Sequence, residues 1–407
     1  MASGWLEELA ARRRFGMRPG LATIAGICRR LGHPERKFRV IHVAGTNGKG
    51  AVSAILDACL GGGRYTSPHL VRLNERYFLH GRPLDDATLE RAAAAVSAVA
   101  PEETTFFEAL TAVAFLVYAE ARTAHPVFEC GLGGRFDATN VCESELSVIT
   151  RIGLDHCDWL GDTVEKIAAE KAGIIRPGVP VVLARNADAV RRVIEARARE
   201  VGAPFVYAPD LATDDDIPAD FSLRGGFNRE NAVTALAALK TLNGELDFRA
   251  VPPDATLRGF ARVTWPGRFQ EVGPFIVDGA HNPPAATALA AALGTEEFDL
   301  IAGFCADKDV DETLRILAPR IVRALAVQTR NPRSLRAEET AARMKAAGIA
   351  AEAAASLGAA LARQENGPRR TLVCGSLFLA GEALVELGAF PWGADGRYDV
   401  NESLRGA

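Results

Sequence analysis

Short hydrophobic runs alternate with longer alanine- and leucine-rich segments along most of this chain. The runs are rich in β-branched and aromatic residues, as buried strands are, whereas the longer segments have the composition of helices. Strands are predicted at Phe38–Ala44, Pro126–Glu129, Ser147–Thr150, Val179–Ala184, Phe275–Val277, Phe298–Gly303, Ala324–Gln328 and Thr371–Cys374. Strands that alternate with helices form mostly parallel sheets covered by helices, so the predicted fold class is α/β.

The alternation is interrupted at Val263–Phe269, where proline and glycine break the hydrophobic pattern. A chain of 407 residues is also too long for one small domain. We therefore predict an N-terminal α/β domain over residues 1–265, a linker over 266–270 and a smaller C-terminal α/β domain over 271–407. The acidic, proline-containing segment Asp210–Asp220 is predicted to be a surface loop.

Composition excludes several classes of protein. Hydrophobic residues make up 48% and charged residues 24%, and 47 basic against 51 acidic residues give a net charge of −4, which argues against a large nucleic-acid-binding surface. Seven scattered cysteines without a C-x-x-C pair favour a reducing, cytoplasmic location over a disulfide framework or zinc site. No apolar run is long enough to span a membrane, and Met1–Arg14 lacks the hydrophobic segment of a signal peptide.

The segment Gly45–Gly50 reads GTNGKG, directly after a predicted strand and before a predicted helix at Ala51–Leu60. Glycines let backbone N–H groups approach a phosphate, a helix N-terminus favours the anion, and Lys49 can reach the terminal phosphates. ATP binding is therefore predicted at Thr46, Asn47, Gly48, Lys49 and Gly50. The simpler alternative is a glycine turn with a surface lysine. Because Gly50 and Ala51 stand where a phosphate loop usually has Ser or Thr, a metal ion must find its ligands elsewhere.

Further motifs follow in order along the chain. They are Thr66–Leu70 (TSPHL), Glu129–Asn140 (ECGLGGRFDATN), Leu154–Gly161 (LDHCDWLG), Glu170–Ile174 (EKAGI), Pro266–Gln270 (PGRFQ), Asp278–Pro283 (DGAHNP) and Gly375–Phe378 (GSLF). Together with GTNGKG, they resemble folylpolyglutamate synthase/dihydrofolate synthase of the Mur ligase superfamily over nearly the whole chain. The resemblance implies an N-terminal P-loop ATPase domain and a smaller, Rossmann-like C-terminal glutamate-ligase domain.

The resemblance also implies a magnesium site formed by Ser67, Glu129 and His156, with one or two ions. From the residues alone, Glu129 at the carboxyl end of a strand suits magnesium, although such a glutamate is more often a solvated strand end. Magnesium also prefers oxygen ligands to a histidine. Lys171 is implied to be carbamylated and to help hold the second ion; the alternative is a helix-face cation near a helix C-terminus. Lys49, Lys171 and His281 are the predicted catalytic residues, and the role we predict for His281 is to help orient the intermediate.

Two substrate sites are implied as well. Asn231, Arg268 and Asp278 are implied to contact ATP, and contacts from the linker and second domain would draw the two domains together. Dihydropteroate contacts are implied at Thr105, Phe106, Phe107, Glu108, Phe136, Asp137 and Ala138. For the first four residues a structural explanation is equally good, because Thr105 and Glu108 fit a capping box at a helix start and the phenylalanines fit a core.

The activity implied is ATP-dependent ligation of L-glutamate to dihydropteroate, and/or of γ-linked glutamates to tetrahydrofolate, through an acyl phosphate. A monomer that binds neither nucleic acid nor membranes is expected. Mur ligases acting on UDP-linked muramoyl substrates have a further domain before the phosphate loop, for which the 44 residues before Gly45 are too few. The alternatives are a non-catalytic ATP-binding homologue or a ligase for a non-pterin carboxylate, because the fifteen residues between Gly50 and Thr66 are fewer than that family has.

Overall fold

The computed structural model describes residues 20–245 and 253–393 of the 407-residue chain. The prediction for Met1–Arg14 concerns residues outside these ranges. The strands are β1 (Val40–Ala44), β2 (Arg64–Tyr65), β3 (Tyr77–Leu79), β4 (Arg82–Pro83), β5 (Val127–Glu129), β6 (Ser144–Ile149), β7 (Val181–Leu183), β8 (Phe205–Tyr207), β9 (Gln270–Val272), β10 (Phe275–Val277), β11 (Phe298–Ala302), β12 (Ile321–Ala326), β13 (Ala350–Ala353) and β14 (Thr371–Cys374).

Helices follow most of the parallel strands. They are α1 (Ala22–Arg30), α2 (Lys49–Leu60), α3 (Asp86–Ser97), α4 (Phe106–Ala121), α5 (Cys157–Leu160), α6 (Val164–Lys171), α7 (Asp188–Val201), α8 (Ala208–Leu211), α9 (Gly226–Glu245), α10 (Pro253–Arg262), α11 (Pro283–Leu293), α12 (Val310–Leu317), α13 (Ala337–Ala346), α14 (Leu357–Gln364) and α15 (Leu377–Glu386). Among the described residues, no helix is both long and apolar enough to cross a bilayer.

The first sheet has the order β4-β3-β2-β5-β1-β6-β7-β8. Its strands are parallel from β2 through β8, and β3 and β4 are added antiparallel at one edge. Strand β1 is central and buried on both faces: Val40 packs into one apolar cluster, and Ile41 and Val43 pack into another. This double burial explains why the strand is a nearly continuous hydrophobic run. His42 is the one polar residue in it.

The second sheet has the order β13-β12-β11-β14-β10-β9 and is parallel except for β9. Ile276 packs into an apolar cluster on one face, and Phe275 and Val277 pack into a cluster on the other. The prediction of two mostly parallel α/β sheets is thus confirmed. Gln270, at the end of the predicted linker, already pairs with Val277 in this sheet.

Asp210–Asp220 is mostly exposed, as predicted, but part of it is helical. Its first residues lie in α8, and Asp214–Asp216 form a short 3-10 turn. Arg229 on α9 binds Asp214, so the segment is anchored to the first domain.

The two domains meet along the edge where their parallel strands end. Helix α9 of the first domain packs on α11 of the second. Beside them, Asn282 Nδ2 donates a hydrogen bond to Asp155 Oδ2 at 3.3 Å. Because ligands of parallel α/β sheets bind outside the carboxyl ends of the strands, this junction is where a site is expected.

Candidate functional site

A cavity of about 980 Å³ opens at the junction of the two domains. The predicted site residues that line it are Thr46, Asn47, Gly48, Lys49, Gly50, Ser67, Thr105, Phe106, Phe107, Glu108, Glu129, Phe136, Asp137, Ala138, His156, Asn231, Arg268, Asp278 and His281. Lys171 is the one predicted site residue that does not line it. Residues that are far apart in the sequence are therefore brought to one place, which has the size of a small-molecule site.

The phosphate loop runs from the end of β1 to the start of α2. Its backbone is held by the neighbouring strand segment, because the N–H groups of Thr46 and Asn47 both donate to the Arg151 carbonyl, at 2.9 and 3.2 Å. Lys49 Nζ lies over the loop and donates to the Thr46 carbonyl at 3.2 Å. The loop is thus rigid, with its lysine amine beside the cavity.

Close packing explains the glycines of this loop. A Cβ at residue 50 would lie 2.2 Å from the Trp265 ring, so there is no room for the Ser or Thr that many phosphate loops have after the lysine. A Cβ at residue 48, where φ is +90°, would lie 2.3 Å from Asn231 Oδ1. Asn231 and Trp265 therefore both lie directly against the loop.

Glu129 ends strand β5 beside the phosphate loop and is only 3% exposed. Its Oε2 accepts a hydrogen bond from the Ser67 N–H at 3.1 Å, and its Oε1 lies 3.9 Å from Lys49 Nζ. Burial raises the pKa of this carboxyl group from 4.5 to about 7, although the Lys49 cation opposes the rise. A buried carboxylate beside the phosphate loop is a ready ligand for a further cation.

Although the segment before Ser67 is short, Ser67 still lies next to Glu129. Helix α2 ends at Leu60, and three glycines connect it directly to β2. Gly63 has a φ of +85°, and a Cβ there would lie 2.5 Å from the Phe78 carbonyl oxygen. Glycine is required at such a position, and it lets the chain turn within three residues. The shortened segment therefore still places the Ser67 backbone within hydrogen-bonding distance of Glu129.

His156 completes the predicted metal ligands on the cavity wall. Burial lowers the pKa of its imidazole, and the neutral ring keeps a lone pair for a metal. Within residues 20–245 and 253–393, no three His, Cys, Asp or Glu side chains form a metal-binding group by themselves. Ser67, Glu129 and His156 all line the cavity, and their role as magnesium ligands, completed by phosphate oxygens and water, stays a prediction.

Lys171 lies behind the phosphate loop at the end of α6 and is 4% exposed. Its Nζ donates to the Gly45 carbonyl at 2.7 Å. Burial and the nearby Lys49 cation lower its pKa from 10.5 to about 7. A substantial fraction of neutral amine, which carbamylation requires, is thus available near neutral pH, and carbamylation itself stays a prediction.

Asp278 ties the linker to the second domain. Its Oδ2 accepts from the Phe269 N–H at 2.8 Å and its Oδ1 from the Ala280 N–H at 2.7 Å. Phe269 has a φ of +51°, an unfavourable conformation for a non-glycine residue, which this bond helps to hold. The preceding residue, Arg268, lines the cavity and lies 5.9 Å from the Trp265 ring centre.

His281 lies on the cavity wall contributed by the second domain. Its Nδ1 is 2.8 Å from the Gly279 carbonyl oxygen. A carbonyl only accepts, so Nδ1 carries the proton and Nε2 has a lone pair. Burial lowers the pKa of the ring to about 4, so this tautomer is uncharged near neutral pH.

Two of the predicted acceptor contacts have a clear structural role. Thr105 and Glu108 form a capping box at the start of α4, in which Glu108 Oε2 accepts from the Thr105 N–H at 2.9 Å and Thr105 Oγ1 accepts from the Glu108 N–H at 3.2 Å. Phe106 is 3% exposed and belongs to the core, whereas Phe107 stacks on Tyr65 with ring centres 6.2 Å apart. All four also line the cavity, so the two explanations coexist.

Phe136, Asp137 and Ala138 form the opposite side of the acceptor region. The Phe136 side chain is 51% exposed, which is unusual for a phenylalanine beside an otherwise closed core. Asp137 is only 5% exposed, and its Oδ2 accepts from the Leu132 N–H at 2.9 Å. The region therefore offers one open aromatic face and one fixed carboxylate.

Sequence reasoning missed several cavity residues. They are Asp155, Trp265, Asn282, Lys308 and Arg333. Lys308 could have been found, because lysine is rare in this chain and Lys308 follows a predicted strand. Arg333 lies 3.3 Å from Asp307 and had no such signal among the many arginines.

Comparisons with known proteins agree with this geometry. The Mur ligase, glutamate ligase domain family matches residues 267–377. A dihydrofolate synthase/folylpolyglutamate synthase of Bacillus subtilis is 38% identical over 327 residues, which cover 71% of this chain and 74% of that protein. E. coli FolC in complex with DHPP and ADP has a TM-score of 0.84 at 30% identity, with 95% of this chain and 98% of that chain covered.

A further solved structure is the bifunctional folylpolyglutamate synthase/dihydrofolate synthase of Yersinia pestis, complexed with AMPPNP and a Mn ion. It has a TM-score of 0.80 at 29% identity and covers 91% of this chain and 94% of that chain. That complex contains a nucleotide and a divalent metal ion. By its identity and coverage, the chain belongs to the dihydrofolate synthase/folylpolyglutamate synthase family.

Proposed function

We propose that this chain is an ATP-dependent ligase that joins the amine of L-glutamate to the carboxylate of dihydropteroate, to the γ-carboxylate of a reduced folate, or to both. The observation that carries the proposal is the pairing of Lys49 and Glu129, 3.9 Å apart, at the end of a phosphate loop. The same cavity carries the open aromatic face of Phe136. A nucleotide site and an aromatic acceptor site in one cavity are what this reaction needs.

Amide formation from a carboxylate in water requires activation, and transfer of the ATP γ-phosphate to the carboxylate supplies it. Lys49 would neutralise the charge that develops on the γ-phosphate as the acceptor carboxylate attacks. The loop's fixed backbone would hold the nucleotide in line with the acceptor. A bound magnesium ion, held by Ser67, Glu129 and His156, would supply further positive charge at the phosphates.

The second step needs L-glutamate beside the acyl phosphate and water kept away. Lys308 and Arg333 line the wall contributed by the second domain and complement the two carboxylates of L-glutamate. His281, neutral and with a free lone pair on Nε2, is suited to orient the incoming amine. The hydrogen bond from Asn282 to Asp155 holds the two domains together over the reacting groups and so limits hydrolysis.

A non-catalytic role is less well supported. The argument for it was the shortened segment before Ser67, yet this residue still donates to Glu129. We further propose that the protein is a cytoplasmic monomer and that its domains divide into residues 1–265, 266–270 and 271–407. Lys171 is proposed to be carbamylated, and Asn231, Arg268 and Asp278 are proposed to contact ATP.

The direct experiment is acceptor-dependent ADP release with magnesium and L-glutamate present, with dihydropteroate and tetrahydrofolate tested separately. We expect ADP release only when acceptor and glutamate are both present, and a product heavier by one glutamate residue. Turnover with only one acceptor would assign the physiological step. A folded protein that binds ATP and turns over neither acceptor would contradict the proposal and favour a non-pterin carboxylate.

A further inference from the structure

His42 is a buried titratable residue that the proposed reaction does not use. It lies in the middle of β1, is 1% exposed and does not line the cavity. Burial lowers the pKa of its imidazole from 6.5 to about 3, so the ring is neutral near pH 7. A polar side chain in the centre of a hydrophobic strand is destabilising unless it forms specific hydrogen bonds.

Its hydrogen bonds lead toward the cavity. His42 Nε2 lies 2.8 Å from Thr139 Oγ1 and 3.1 Å from Cys130 Sγ. Thr139 Oγ1 in turn lies 2.5 Å from Asp137 Oδ1. All four residues are 5% exposed or less, so water does not compete for these contacts.

The direction of these bonds follows from the donors present. A carboxylate only accepts, so the single hydroxyl proton of Thr139 is directed to Asp137. Thr139 Oγ1 then has lone pairs left and accepts from His42 Nε2–H. The histidine thereby selects the hydroxyl rotamer that serves the carboxylate, and a residue without an N–H at this position would not.

Asp137 is the one member of this network that lines the cavity. Its Oδ2 accepts from the Leu132 N–H at 2.9 Å, and its Oδ1 accepts from the Thr139 N–H at 3.0 Å as well as from the hydroxyl. The plane of the carboxylate is therefore fixed from both oxygens. Loss of the hydroxyl bond would leave the two oxygens held by backbone N–H groups alone, so the plane would be held less firmly.

We propose that His42, acting through Thr139, positions the Asp137 carboxylate to accept hydrogen bonds from the N–H groups of a heteroaromatic acceptor ring. The inference rests on the proposed function, since it takes the acceptor to be a pterin. Recognition of a planar ring edge depends on the orientation of the carboxylate plane as well as on its charge. His42 is a positioning residue, because it acts through Thr139 and does not touch the cavity.

Strand β1 connects this network with the nucleotide site. His42 lies on the same strand that leads, two residues later at Ala44, into the phosphate loop. Strand β1, which leads into the nucleotide-binding loop, therefore also helps to fix the orientation of the Asp137 carboxylate. One rigid element fixes the separation of the two sites.

The test uses three variants and measures binding of two ligands to the full-length protein. Thr139→Val removes the hydroxyl at constant volume, His42→Leu removes the N–H, and His42→Gln retains an N–H donor. Dissociation constants are measured for dihydropteroate and for ADP, followed by KM and kcat. Thr313→Val is the matched control, since this threonine is 0% exposed, donates to the Asp309 carbonyl at 2.6 Å and lies in the second domain outside the cavity.

We expect Thr139→Val and His42→Leu to weaken dihydropteroate binding about tenfold while ADP binding changes less than about twofold. His42→Gln should restore most of the acceptor affinity, and Thr313→Val should change neither constant. A merely structural role would instead weaken both ligands together. If His42→Leu does not fold, Thr139→Val alone decides the question.

The outcomes separate this inference from the proposed function. If the unsubstituted protein binds dihydropteroate and Thr139→Val binds it equally well, the positioning role is wrong and the proposed function stands. Parallel loss of acceptor and ADP affinity would also overturn the positioning role. If the unsubstituted protein binds neither dihydropteroate nor tetrahydrofolate, both the proposed function and the inference fail.

Discussion

The two ends of the cavity are built from different parts of the chain. At the nucleotide end, formed by Thr46–Gly50 with Lys49, the shape is set by backbone atoms and by glycines that leave room for Trp265 and Asn231. At the acceptor end, formed by Thr105–Glu108 and Phe136–Ala138, the shape is set by side chains. Several of these side chains also cap a helix or fill the core.

The two ends of the cavity should therefore respond differently to substitution. A change at the nucleotide end meets rigid backbone, so it should affect every substrate that depends on ATP. A change at the acceptor end meets side chains that can readjust, so it should affect the affinity for one substrate. Variants at each end therefore test whether a substitution at one end changes the affinity for the substrate bound at the other end.

The largest effect is expected from Glu129→Gln at the nucleotide end. The neutral amide keeps the shape but removes the negative charge next to Lys49, and we expect kcat to fall about a thousandfold. Raising the magnesium concentration should not restore activity. Glu145→Gln is the control, because Glu145 is the second residue of β6 in the same sheet and pairs with His125 outside the cavity. Near-normal turnover by Glu129→Gln would refute the metal assignment.

A smaller effect is expected from Gly50→Ser, which introduces the hydroxyl that many phosphate loops have. The new side chain would meet the Trp265 ring, and overpacking of about 1 to 3 kcal/mol should weaken ATP binding about tenfold or more. The double variant Gly50→Ser/Trp265→Ala should recover part of that loss. Gly26→Ala, in open space on α1, is the control. Tighter ATP binding by Gly50→Ser would show that the loop is less rigid than described.

Phe136→Ala should act on the acceptor alone. Loss of the open aromatic face should raise the KM for dihydropteroate about tenfold, with the KM for ATP unchanged. Leu257→Ala removes a side chain of similar exposure, 53% against 51%, away from the cavity and serves as the control. Equal increases in the KM for dihydropteroate and the KM for ATP would mean that the two ends do not bind their substrates independently.

The smallest effect concerns stability and pH at Lys171. Its pKa in the folded protein, about 7, lies below its unfolded value, so below pH 7 both states are protonated and the burial penalty is complete. Between about pH 7 and 10 the folded state alone releases the proton, and stability rises with pH. The Tm of Lys171→Met should therefore exceed that of the unsubstituted protein by several degrees near pH 6 and by less near pH 9. A difference that grows with pH would contradict the lowered pKa.

Burial determined which strands of the two sheets could be predicted from the sequence. Strands β10 and β14 have the predicted bounds, because parallel strands buried on both faces leave hydrophobic runs in the sequence. Strand β13 (AAEA) is mostly exposed at a sheet edge and reads as helix, so it was missed. Strands β2 and β4 have two residues each, and such short pairs leave no periodic pattern.

The site residues that could be predicted from the sequence are those that lie in recognisable motifs. The glycines of the phosphate loop and Glu129 at a strand end have physical signatures in sequence. The position of Lys171 behind the loop depends on how α6 packs, which no local pattern encodes. The link from His42 to Asp137 joins residues 95 positions apart through a third side chain, and only the fold brings them together.

The central claim is that the acceptor carboxylate is phosphorylated before L-glutamate attacks. It is tested most directly with dihydropteroate carrying ¹⁸O in its carboxylate, by measuring the mass of the phosphate released during turnover. The account predicts one ¹⁸O atom in each phosphate molecule, because the amine displaces phosphate together with the bridging oxygen. Phosphate without ¹⁸O, released along with the amide product, would contradict the acyl phosphate and with it the proposed role of the Lys49–Glu129 pair.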